Sequence, residues 1–74
     1  MKIVELIDYG VNIKFPISLA SLNEIRDIVD KINKKKLSIS IIIIVTKSEL
    51  ISKADLIRDI SNKLGNLLTI EVLN

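Results

Sequence analysis

Leu37-Ser38-Ile39-Ser40-Ile41-Ile42-Ile43-Ile44-Val45-Thr46 decides the fold. The stretch opens as an alternation of aliphatic and small polar residues and closes in an unbroken β-branched block from Ile41 to Val45. Alternation is the period of a strand with one wet face, whereas an unbroken Ile/Val run puts apolar side chains on both faces. The stretch is therefore expected to be the central strand of a sheet, covered on both sides over its second half. What covers Ile42 and Ile44 is the question it sets for the rest of the chain.

Helix signals flank this run. Ser21-Leu22-Asn23-Glu24 has the spacing of a capping box, a hydroxyl placed to accept from the amide three residues on. Leu22, Ile25, Ile28, Val29 and Ile32 then recur at helical spacing, which predicts a helix over 22–35 with Asp27, Asp30, Lys31 and Lys34 on its wet side. After the run, Ser52-Lys53-Ala54-Asp55 repeats the capping logic. Leu56, Ile57, Ile60 and Leu64 make the stripe of a second helix over 53–64, ended by Gly65. The connection Lys47-Ser48-Glu49-Leu50-Ile51 has room for a helical turn, with Leu50 and Ile51 expected under the sheet edge. A last strand is expected over 67–73, where Leu68, Ile70 and Val72 alternate with Thr69 and Glu71.

At the amino end, residues 2–7 and 11–15 read as two short strands joined at Asp8-Tyr9-Gly10 into a hairpin, stopped by Pro16. The expected order is thus ββαβαβ. This is an α/β (α+β) two-layer sandwich with a four-stranded mixed sheet, an amino-terminal hairpin and two helices mainly on one face, all within a single domain over 1–74. Ile39, Ile41, Ile43 and Val45 would then hold the helices. Ile3, Ile7, Ile42, Ile44, Leu67 and Leu73 would face the other way and form an apolar patch of a few hundred Å², large enough to mark an interface. The alternative is a strand order with one helix on each face, which would make the Ile run ordinary core.

Composition narrows the chemistry. With 74 residues and 49% hydrophobic content, the chain sits near the lower size limit for stability without a staple or partner, so a homodimer or protein partner is expected. Absence of Cys and His removes disulfides, thiol nucleophiles, imidazole bases and the usual zinc sites. No apolar run approaches the roughly 18–20 residues of a membrane span. Glu5 interrupts what would be the apolar part of a leader, so a cytoplasmic protein is expected. The net charge of +2 comes from Lys34-Lys35-Lys36, which with Lys31 forms a basic cluster at a helix end. Cations there satisfy the last carbonyls and the helix dipole. Nucleic-acid binding is the alternative function for this cluster, though Tyr9 and Phe15 are the only aromatics available for stacking. Thr46-Lys47-Ser48 follows the carboxyl end of the central strand, where α/β folds often hold ligands, and Lys47 could contact an anion there. No Gly-rich phosphate loop, paired base or metal-ligand constellation accompanies it. No enzyme activity, cofactor or metal is expected.

The stretch from Gly10 to Val72 resembles the first part of a STAS domain, the small α/β module of anti-sigma-factor antagonists. That family opens a helix with a loop of the type Phe-Ile-Asp-Ser-Ser-Gly-Leu, and here the register reads Leu50-Ile51-Ser52-Lys53-Ala54-Asp55-Leu56. The resemblance implies a regulatory protein-binding module. Lys53 and Ala54 stand at the two hydroxyl positions, so the family's phospho-switch is missing and Ser52 is the one hydroxyl left to regulate. The expected function is a non-enzymatic module that self-associates through an apolar sheet face or edge.

Overall fold

Residues Ile41–Thr46 form the middle strand, β2, of a parallel sheet, with β1 (Ile13–Pro16) on one side and β3 (Leu68–Leu73) on the other. The computed structural model describes residues 12–73. Ile41 lies between Ile13 and Leu68, Ile43 between Phe15 and Ile70, Ile42 between Lys14 and Thr69, and Ile44 between Pro16 and Glu71. Both connections are helical crossovers, the linkage that parallel neighbours require. Helix α1 (Leu22–Lys35) joins β1 to β2, while α2 (Lys47–Ser52) and α3 (Ala54–Leu64) lead from β2 to β3. Helices α1 and α3 contact each other, which places both on one face of the sheet.

The expected four-stranded mixed sheet is not found. Among the described residues the sheet has three strands, all parallel, because each pairing is made across a helical crossover and none across a hairpin. The expected strand over 2–7 and its hairpin loop lie outside the described residues. Contact between α1 and α3 also rules out one helix on each face.

Local chemistry sets the boundaries. Ser21 caps α1, its Oγ accepting from the Glu24 amide at 3.2 Å. The helix ends with Lys36 in the left-handed region, φ 51°, and the Leu37 amide donates back to the Ile32 carbonyl at 3.1 Å in a Schellman-type turn. That turn takes Leu37 and Ser38 out of the ladder, so β2 starts at Ile41 rather than Leu37. Asn12 and Ser40 tie the entry of β1 and β2 together, the Ser40 amide donating to Asn12 Oδ1 at 2.9 Å and the Ile13 amide to the Ser40 carbonyl at 3.2 Å. Gly65, at φ 55° and ψ −126°, ends α3 in a backbone region that side chains disfavour.

The core lies between the sheet and the two long helices. Ile13, Phe15, Ile41, Ile43 and Val45 from the sheet meet Ile25, Ile28 and Ile32 of α1 and Ile60 and Leu64 of α3, with Ile17 and Ile39 completing it from the connections. Among the described residues no polar or charged side chain is buried.

Candidate interaction surface

The face of the sheet away from the helices is built by the alternate residues of each strand. Lys14 comes from β1, Ile42 and Ile44 from β2, and Thr69, Glu71 and Leu73 from β3. Ile42 and Ile44 are half-buried. Lys14 and Glu71 reach across β2 to each other at 2.9 Å, in register with Ile42 and Ile44 respectively. The ion pair is about half exposed and contributes on the order of 0–1 kcal/mol. The pair spans β2 on the face that carries Ile42 and Ile44.

Of the other residues expected on that face, Leu73 is exposed at the end of β3. Leu67 belongs to the 3-10 turn Gly65–Leu67 and packs against the core from its margin. Ile3 and Ile7 lie outside the described residues.

The basic residues do not form one surface. Lys34 and Lys35 occupy the last turn of α1 and Lys36 its left-handed cap, with Lys31 one turn earlier. All four stand at the end of the sheet where the strands begin. Lys47 follows β2 at the opposite end, roughly 20 Å away along a six-residue strand. The lysines of the α1 end therefore cannot act with Lys47 on a short ligand.

Thr46 and Glu49 form a reciprocal capping box that starts α2. The Glu49 amide donates to Thr46 Oγ1 at 3.2 Å, and the Thr46 amide donates to Glu49 Oε1 at 2.9 Å. The second of these bonds holds the Glu49 carboxyl below its usual range, against a smaller opposing effect of partial desolvation. Lys53 Nζ stands 3.9 Å from the same carboxylate. The hydroxyl of Thr46 is thus committed to capping.

Ser52, expected to cap the second helix, is instead the last residue of α2 and is exposed. Lys53 takes the cap position of α3 without a side-chain bond. The reason is that α2 is a full six-residue helix, which leaves one residue, Lys53, between it and α3.

A further departure concerns Leu50 and Ile51, expected under the sheet edge. Ile51 is 83% exposed and Leu50 37%. Three more large aliphatic side chains are exposed among the described residues, namely Leu19, Val72 and Leu73. All five stand beyond or at the carboxyl ends of the parallel strands. Leu19 lies in the 3-10 turn after β1, Leu50 and Ile51 in the helix after β2, and Val72 and Leu73 at the end of β3. Composition could not show this, since only the parallel direction of all three strands brings these separate pieces to one end. The spacing Thr46-Lys47-Ser48-Glu49 could have shown α2, because it is itself a capping-box signature.

Elsewhere, an open groove of about 520 Å³ runs between α1 and α3, lined by Leu22, Arg26, Asp59, Asn62 and Lys63. Its charges are of both signs and its walls are mostly polar. Among the described residues no three acidic side chains converge where they could hold a cation, and no helix is long and apolar enough to cross a membrane. Comparison with protein-family models, with curated proteins and with solved structures finds no match.

Proposed function

We propose that this chain is a non-enzymatic protein-interaction domain that associates with its own copies. The observation that carries the proposal is the amount of aliphatic side chain left in solvent by so small a domain. Among the described residues five large aliphatic side chains are exposed, and Ile42 and Ile44, on the sheet face that no described helix covers, are only half-buried. Parallel sheets are nearly always covered on both faces, and among the described residues helices cover one. A chain of 74 residues also gains proportionally more from association than a larger domain does.

The STAS-like part of the proposal rests on the strand and helix order and on the apolar spacing from 10 to 72. In this reading the module regulates by binding alone. Ser52 closes α2 instead of capping α3, and Lys53 and Ala54 occupy the two positions where the family carries its hydroxyls. The basic residues Lys31, Lys34, Lys35 and Lys36 serve chiefly to end α1.

Size-exclusion chromatography with light scattering, run over a dilution series from high micromolar concentration downward, tests the proposal. A mass above that of one chain, falling on dilution, is the expected result. A monomer mass across the whole series contradicts it.

A further inference from the structure

We infer that two copies meet at the carboxyl end of the sheet, through a rim formed by Leu19, Leu50, Ile51, Val72 and Leu73. The inference rests on the self-association proposed above and names the surface that makes it. Three observations bear on the choice of surface and of occupant.

The first is area. At the exposures found, from 37% at Leu50 to 83% at Ile51, the five residues, on separate segments gathered at one end of the sheet, together expose roughly 500 Å². A stable dimer of ordinary size buries about 800 Å² on each copy, of which about 65% is apolar in homodimers. The rim and a narrow polar collar around it therefore supply what one copy must contribute, in the right proportion.

The second is charge. Across a twofold axis residue i of one copy meets residue j of the other and the reverse, so only charges close to the axis meet their own kind. Beside the rim Glu49 faces Lys53 at 3.9 Å, Asp55 faces Arg58 at 2.8 Å and Glu71 faces Lys14 at 2.9 Å, which leaves Lys47. Little net charge remains there. An anionic membrane or a nucleic acid would call for a cationic excess, and the chain holds its lysine cluster at the other end of the sheet.

The third is the cost of the competing surface. Covering Ile42 and Ile44 with a second copy means taking the Lys14–Glu71 ion pair out of water, or breaking it. The rim needs no such step, because its exposed side chains are aliphatic.

Sedimentation equilibrium on the full chain and three variants, Ile51→Lys, Leu19→Lys and Ile42→Lys, decides among the surfaces. Ile51 and Leu19 are 83% and 59% exposed, so a lysine at either leaves the fold intact, which circular dichroism verifies. The expected result is that each rim variant weakens dimerisation at least tenfold while Ile42→Lys changes it less than threefold. Loss of the dimer in Ile42→Lys, with both rim variants unchanged, overturns the rim and leaves self-association standing. A wild-type chain that is monomeric throughout overturns both. A monomer that instead cosediments with anionic phospholipid vesicles, and loses that binding in Ile51→Lys, assigns the rim to a membrane surface and also overturns the inference.

Discussion

Glu49 shows how a single residue fixes an element here. Its carboxylate accepts from the Thr46 amide at 2.9 Å while its own amide donates to Thr46 Oγ1. These two bonds satisfy donors that the first turn of α2 would otherwise leave open. The bond from the Thr46 amide favours the ionised carboxyl, so the folded pKa lies below the unfolded one. A depressed carboxyl pKa stabilises the fold fully above the ordinary glutamate value of about 4.3, and the contribution disappears as pH falls through the lower folded value. Glu49→Gln keeps the acceptor and removes the charge. Thermal melts should therefore find the variant less stable than wild type near pH ~7, with the gap closing toward pH ~3. A gap of equal size at both ends of that range would mean that the charge at position 49 does not strengthen the box.

At the scale of the element, β2 carries two unequal faces. Ile41, Ile43 and Val45 are fully buried under α1 and α3, while Ile42 and Ile44 are half-buried beside Lys14 and Glu71. Truncating a fully buried isoleucine leaves a cavity and costs about 2–5 kcal/mol. Urea denaturation should place Ile43→Ala in that range and Ile42→Ala well below it. Equal losses would mean that both faces are covered alike.

Much of this element level was legible in the sequence. The Ser21 cap and the spacing from Leu22 to Ile32 give α1 at its observed bounds, because helix caps and helical periodicity act within a few residues of each other. The start of β2 was misplaced by four residues for an equally local reason, the left-handed Lys36 and its return bond from Leu37 to Ile32. A lysine in that conformation carries none of the signal a glycine would. The cap at Ser52 was misassigned because Thr46 and Glu49 start a helix that uses Ser52 as its last residue.

Across the whole molecule, strand direction turns local facts into a surface. The expected ββαβαβ order already joined the strands at 11–15, 37–46 and 67–73 by helical crossovers, and what it misplaced at their carboxyl end was Leu50 and Ile51, expected under the sheet edge and found exposed. With β1, β2 and β3 parallel, whatever follows each strand gathers at one end, and whatever precedes it gathers at the other. Lys34, Lys35 and Lys36 therefore mark one end, and Leu19, Ile51 and Leu73 the other. Strand direction is set by long-range pairing, such as Ile13 with Ile41 and Ile41 with Leu68, and no short window of sequence contains it. Ile42 and Ile44 were legible as half-covered strand residues from their place in the run, while the rim was not, because nothing local to Leu50-Ile51 shows that the turn they belong to stands away from the sheet.

The most direct measurement is isotope-filtered NMR on a mixture of methyl-labelled and unlabelled full-length chains, which detects only contacts between copies. Contacts from the methyl groups of Leu19, Ile51 and Leu73 to the unlabelled copy are the expected result, with Ile42 and Ile44 silent. Contacts confined to Ile42 and Ile44, or none at concentrations where the chain is fully associated, would contradict the account.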